Sequence, residues 1–187
     1  DTPEFKFIQS YGITNLSGLE NAVNLEKLDL GENEISDLSP IAKLNKLLKL
    51  SLIRNRISDL TPISELEYLD LYANKIEDIS PLAKLTNLRH LDLHNNNNQT
   101  GDPVHPTVSG GINDISAVRN MSKLELLSLG SNNITDITPI KNLTNVKDLV
   151  LSGNHISNYE GPEQYISDIL AKQMSGEGSV SFAGQRL

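Results

Sequence analysis

A repeated pattern of leucines around a single asparagine runs through most of this chain and limits the folds open to it. The pattern is clearest over residues 25–44, LEKLDLGENEISDLSPIAKL, and it returns in copy after copy. Successive copies place their asparagines 22 residues apart, as at Asn33 and Asn55 (55 − 33 = 22). A unit of this length cannot bury its apolar face alone, so the copies must stack into a solenoid with one continuous core.

Each repeat contains a short strand, a corner and an outer segment. Leu28-Asp29-Leu30 alternates as a strand does, with the two leucines on one face. Asn33 follows at the corner, where its side chain offers both a donor and an acceptor to backbone groups that no ladder pairs. Ser39-Pro40 predicts the start of a short helical segment, with Ser39 as N-cap and proline at the first helical position. We therefore expect an α/β solenoid, with a concave parallel β-sheet and short 3-10 or α-helical segments on the convex side.

We expect one domain over residues 1–187, in three parts. Residues 1–24 read as an incomplete N-terminal turn, and residues 25–157 as the regular repeats. Residues 158–187 read as a last turn, because apolar residues at helical spacing predict an amphipathic helix there and a strand pattern follows it. Since the chain opens on Asp1 without methionine, we expect it to be a piece of a longer protein.

Two irregularities interrupt the repeats. Asn55 and Asn74 are only 19 residues apart (74 − 55 = 19), so the outer segment of this turn should lose about one turn of helix. Residues 97–111 are rich in asparagine, glycine and proline and match no repeat position, which predicts a looped-out insertion.

Composition excludes several classes of function. The formal charge of −8 and the pI of about 4.9 argue against nucleic acid or an anionic membrane as the main partner. No apolar run is long enough to insert into a membrane, and the absence of cysteine removes disulfides and thiolate metal sites. The sequence contains no nucleophile triad, phosphate loop or calcium loop, so we expect a non-enzymatic chain without a cofactor.

The motif LxxLxLxxNxIxDIxPLxxL, which extends from Leu25 to Ile156, resembles the 22-residue leucine-rich repeats of bacterial internalins. Ser-Pro or Thr-Pro after the Asp-Leu or Asp-Ile step is similar to the bacterial surface proteins of this type, and only Ala117 replaces that proline in a later repeat. The resemblance implies a module for adhesion or recognition, with a part in virulence, that is extracellular or on the bacterial cell surface. The alternative is a cytoplasmic leucine-rich scaffold or regulatory subunit.

Function must lie in residues that the fold does not need, and these face outward from the predicted sheet. Because neighbouring parallel strands lie about 4.8 Å apart, two tyrosines and two histidines should meet in the middle of the concave face. Exposed tyrosine with arginine at its edge is the composition of an interface hot spot. The predicted partner-binding residues are Tyr68, Tyr72, His90, His94, Asp70, Asp92, Ile53, Arg54 and Lys49. We expect a protein ligand, from a host or from the extracellular medium, and a monomeric chain.

Two other readings of the same residues are open. Tyrosine at outward strand positions also arises from β-propensity alone. Zinc would suit the ligands His90, Asp92 and His94, with Asp70 and His105 as further donors. The two histidines are, however, roughly 13 Å apart along an extended strand, too far to share one ion, so we predict no metal site. The aspartates that recur at one repeat position are expected to be structural: Asp37, Asp59, Asp78, Asp114 and Asp136.

Overall fold

The computed structural model describes residues 12–97, 110–157, 166–167 and 179–181. Within these residues, seven three-residue strands form one sheet, and every neighbouring pair is parallel and follows the order of the chain. The predicted leucine-rich solenoid with a parallel sheet is therefore confirmed. The strands are β1 (Lys27–Asp29), β2 (Lys49–Ser51), β3 (Tyr68–Asp70), β4 (His90–Asp92), β5 (Leu126–Ser128), β6 (Asp148–Val150) and β7 (Ser179–Ser181).

The outer segments are short 3-10 helices. Their bounds in the described part of the chain are Leu19–Asn21, Ser39–Ile41, Ser80–Lys84, Ser116–Asn120 and Thr138–Asn142. The turn between β2 and β3 has no such helix, which agrees with its shorter spacing. Glu65 in that turn adopts a left-handed conformation, with φ of 59°, and brings the chain directly into the next buried leucine, Leu66.

Register aligns one apolar side chain per strand into a continuous row. Leu28 pairs with Leu50, and the row continues through the leucines of β3 to β6. Isoleucines and leucines from the corners and outer segments complete the core, and most of them have no solvent exposure. Burial of this kind, about 25 cal/mol per Å² of apolar surface, is the main term that stabilises the stack.

The corner asparagines form a ladder that joins each turn to the one before it. The side-chain oxygen of Asn55 accepts the backbone N–H of Ile35, at 2.9 Å, and its amide donates to the carbonyls of Leu30 and Leu52. The same three-way arrangement recurs at Asn74, Asn96, Asn132 and Asn154, all of them buried. The expected role of the asparagine at the corner is confirmed.

The prediction that Ser39 is an N-cap is wrong. Ser39 is the first residue of its 3-10 helix, and the residue that precedes it makes no side-chain cap. Asp37 takes the capping role instead: its Oδ1 accepts the Ser39 N–H at 2.8 Å, and its Oδ2 accepts the Ser39 hydroxyl at 3.0 Å. The backbone hydrogen bond holds the pKa of the Asp37 carboxyl below its usual value. The same contact at Asp59, Asp78, Asp114 and Asp136 shows that this recurring aspartate is structural.

The two ends of the predicted insertion lie side by side. Asn97 donates to the side chain of Asn133, and Asn133 donates to the carbonyl of Gly110. A Cβ on Gly111 would lie 3.0 Å from the Asn97 Cα, so the chain leaves and re-enters the solenoid at nearly one point. Residues 98–109 of the insertion lie outside the described residues.

Parts of both terminal predictions also lie outside the described residues. The N-terminal turn is described from Gly12, and the ladder reaches it because the Asn33 oxygen accepts the Ile13 N–H at 3.1 Å. Of the predicted C-terminal helix, only residues 166–167 are described; both are helical, and Ile166 packs against the core. The final strand is present as β7, which pairs with β6.

Candidate protein-binding surface

Two pairs of aromatic rings lie side by side on the outward face of β3 and β4. Tyr68 is directly opposite His90 in the strand register, and their rings stack with centroids 4.1 Å apart and planes 18° apart. Tyr72 and His94, just beyond the ends of the same strands, form a tilted pair with centroids 5.6 Å apart. We call these four residues the ring patch. All four are partly exposed, so each pair presents aromatic surface near the middle of the sheet, one pair at each end of β3 and β4.

Arg54, Ile53 and Lys49 lie on the β2 side of the ring patch. The guanidinium carbon of Arg54 lies 6.0 Å from the centroid of the Tyr72 ring, at the outer range of a cation–π contact. The same guanidinium pairs with Glu32 at 3.2 Å, so the arginine is held across the turn. Lys49 pairs in register with Tyr68, and both Lys49 and Ile53 are partly exposed.

Asp70 and Asp92 have a backbone role that the sequence reading missed. Oδ1 of Asp70 accepts the N–H of Tyr72 at 3.0 Å, and Oδ1 of Asp92 accepts the N–H of His94 at 2.8 Å. Asp29 makes the same bond to Gly31 in β1. Each aspartate therefore fixes the end of its strand and, with it, the third outward position. The signal in the sequence was the spacing of two residues between the aspartate and the position that it supports.

Burial perturbs the titration of this surface. Asp70 is only 7% exposed, and this desolvation, together with the nearby charge of Asp92, raises the pKa of its carboxyl to about 6. Desolvation, aided by the charges of Asp70 and Asp92, raises the pKa of Tyr68 to about 12. Burial lowers the pKa of His90, and the charge of Asp92 only partly opposes that effect. The Tyr68 and His90 rings are therefore neutral at neutral pH.

Gly130 is a further residue that the sequence reading did not single out. It occupies the third outward position of the β5 repeat, next to His94, and a Cβ there would lie 2.6 Å from the His94 Nδ1 and 3.1 Å from the Ser152 carbonyl oxygen. The His94 ring thus fills the space that the glycine leaves open. At the equivalent Gly31, the nearest atom, the Asp29 Oδ1, would be 3.3 Å away, so the steric conflict is smaller at that position than beside His94.

The described residues give no grouping that would hold a metal. In residues 12–97 and 110–157 and the two short described segments, no three His, Cys, Asp or Glu side chains converge on one point. His105, the fifth residue of the metal alternative, lies outside the described residues. None of the described helices is long and apolar enough to span a membrane.

The repeats match a known family over most of their length. A model described as "Leucine Rich repeats (2 copies)" matches residues 23–65, 64–103 and 111–164. The structure is similar to that of internalin C2 from Listeria monocytogenes, with a TM-score of 0.64 and 31% identity over 83% of this chain and 74% of that one. The chain belongs to the internalin-like leucine-rich repeat family.

Two further solved Listeria monocytogenes structures are similar to this chain. An internalin, inlF, has a TM-score of 0.64 and 28% identity over 95% of this chain and 55% of that one. The functional domain of InlJ, described as including a cysteine ladder, has a TM-score of 0.62 and 25% identity over 80% of this chain and 30% of that one. The chain thus spans little more than half of the second protein and less than a third of the third. No curated protein matches the chain in sequence.

Proposed function

We propose that this chain is a non-enzymatic adhesion or recognition module of a bacterial cell surface, which binds a protein on its concave face. The observation that carries the proposal is the ring patch, two Tyr–His pairs on the same outward sheet face. Aromatic side chains bring a large contact area at a small cost in conformational entropy, and they dominate the energetics of protein interfaces.

The predicted partner-binding residues divide into two roles under this proposal. Tyr68, Tyr72, His90 and His94 supply the contact area, and Ile53, Arg54 and Lys49 extend it towards β2. Asp70 and Asp92 act mainly by fixing the strand ends, because their Oδ1 atoms already accept backbone N–H groups and little of Asp70 is exposed. The resemblance to internalins supports a surface location.

A capture experiment tests the binding surface. The wild-type chain and a Tyr68→Ala/Tyr72→Ala/His94→Ala variant are immobilised and exposed to host and bacterial extracts, and circular dichroism verifies that both are folded. A Lys43→Ala/Lys141→Ala variant changes exposed residues of the outer segments and serves as the matched control. A protein held by the wild type and by the control, but lost by the ring variant, supports the proposal. A protein held equally by all three overturns the assignment to the ring patch.

A second experiment tests the location. Antibodies raised against the chain should label intact cells of the source bacterium. Labelling that requires permeabilised cells would instead favour the intracellular scaffold.

A further inference from the structure

Two carboxylates lie at the centre of the ring patch. Asp70 lies between Tyr68 and Tyr72 along β3, and Asp92 lies between His90 and His94 along β4. The strand register places the two aspartates directly opposite each other. The concave face therefore has an acidic centre with a Tyr–His pair on each side of it.

The part of the chain that the structure describes pairs no cation with that centre. The ion pairs among the described residues join arginines and a lysine to Glu32, Glu34 and Glu125, and none of them includes Asp70 or Asp92. His90 stays neutral, and its Nε2 is buried without a hydrogen-bond partner in the described structure. Like charges directly opposite one another on a sheet repel, so the two carboxylates form an uncompensated site.

We propose that the partner places a basic side chain, lysine or arginine, over Asp70 and Asp92 between the two ring pairs. The inference rests on the proposed function, because it names the chemistry of the group that the same surface receives. The charge of the sheet face agrees with it: the first two outward positions of β1 to β6 carry four aspartates and only two lysines, and both lysines are on β1 and β2.

The ring pairs suit the same ligand group. A cation is attracted to the face of a tyrosine ring, and the guanidinium of Arg54 at the Tyr72 ring is an example within the chain itself. A bound ammonium or guanidinium would donate charge-assisted hydrogen bonds to the carboxylates. A neutral side chain of the same length would contact the rings but would leave the negative charges of Asp70 and Asp92 unpaired.

A titration with small probes tests the site without any protein partner. The probes are N-acetyl-arginine amide and N-acetyl-lysine amide, with the uncharged N-acetyl-citrulline amide as control. Their binding is followed by ¹⁵N NMR at the amides of Tyr72 and His94, which report on the carboxylates to which they donate. Saturable shifts of these two signals with the basic probes, and not with the citrulline probe, are expected. No saturable shift, or equal shifts with all three probes, overturns the inference.

A pair of variants separates charge from structure. Asp70→Asn/Asp92→Asn removes both charges and keeps an oxygen for each strand-end N–H. Asp29→Asn/Asp148→Asn removes two charges elsewhere on the same face and is the matched control. We expect the first variant to bind the basic probes about tenfold or more weakly, as for loss of a hydrogen bond to a charged group, and the control to bind them as the wild type does. Equal weakening in both variants would indicate a general field effect and overturn the site.

A captured protein partner distinguishes failure of this inference from failure of the proposed function. Retention of the partner by the ring variant refutes the assignment of the proposed function to the ring patch. Loss by the ring variant, with full retention by Asp70→Asn/Asp92→Asn, leaves the protein-binding surface intact and refutes the basic side chain. Loss of affinity in the ring variant and in Asp70→Asn/Asp92→Asn, with Asp29→Asn/Asp148→Asn unchanged, supports the proposed function and the basic side chain.

Discussion

Replacement of Asn74 by alanine removes four hydrogen bonds from one corner of the solenoid. The Asn74 oxygen accepts the N–H of Ile57 at 3.0 Å, and its amide donates to the carbonyls of Leu52, Leu71 and Tyr72 at 2.8, 3.1 and 3.4 Å. Asn74 is 2% exposed and Ile57 is fully buried, so no water reaches the groups left behind.

The magnitude follows from which of these groups has a second partner. The Leu52 carbonyl keeps its bond from Asn55 at 3.1 Å, and the Leu71 carbonyl keeps its bond from Asn96 at 3.2 Å. The Ile57 N–H has no other acceptor in the described ladder. One unsatisfied buried donor costs about 1–3 kcal/mol, which we therefore expect as the loss in free energy of unfolding for Asn74→Ala.

Urea unfolding followed by far-ultraviolet circular dichroism measures this loss, with two comparison variants. Asn33→Ala makes the equivalent change at the first corner, where Asn33 is only partly buried and water can replace it, so we expect a smaller loss. Tyr72→Ala changes an outward residue and should lower stability little, as exposed substitutions generally do. If Tyr72→Ala proves as destabilising as Asn74→Ala, the assignment of inward and outward positions is refuted.

Three further perturbations test other features. Deletion of residues 98–111 restores the 22-residue spacing of the asparagines and should leave the chain folded. Its melting temperature should be unchanged or raised, because closing a loop of this length costs about 2 kcal/mol. Unfolding on deletion would show that the position of Asn97 at the start of the insertion is wrong. Gly130→Ala should displace the neighbouring histidine ring, cost about 1–3 kcal/mol and weaken partner binding, whereas Gly31→Ala, with a smaller conflict, should cost less and leave partner binding unchanged. Equal effects of the two variants would contradict the packing of His94 against Gly130. Asp70→Asn should gain stability relative to wild type as the pH rises from 3.8 to above 6. The raised pKa of the Asp70 carboxyl adds to the free energy of unfolding of wild type below pH 3.8, and this contribution is lost as the pH passes 6. A constant difference between the urea midpoints of the two proteins across that range would contradict this pKa shift.

The repeat made much of the fold predictable. The spacing of Leu28, Leu30 and Asn33 is copied along the chain, so one correct reading of a strand and corner was correct for every copy. The asparagine ladder followed because a corner without a backbone ladder needs a side chain with both donor and acceptor. The capping role of Asp37 was harder to foresee, since serine before proline has the same preference for a helix start and only the observed hydrogen bonds separate the two.

The positions of the ring patch residues could also be read from the sequence. Parallel register in successive repeats is fixed by the inward leucines, because a slip of one residue would turn them to solvent. Tyr68 had therefore to lie opposite His90. The stacking distance, the burial of Asp70 and the contact between His94 and Gly130 could not be read, because they depend on side-chain rotamers and on the exact approach of neighbouring strands.

The sequence by itself determined the solenoid, its parallel sheet and the set of side chains that face outward. These features follow from local periodicity, and each repeat specifies them again. Only the tertiary structure decided how deeply each outward side chain is buried and which rings stack on one another. Asp70 and Asp92 occupy outward positions, and each also accepts a backbone hydrogen bond, from Tyr72 and His94 respectively. Those bonds are local, because each joins residues two apart in one repeat, but the desolvation of Asp70 arises only when neighbouring turns pack at strand distance, which no single repeat encodes.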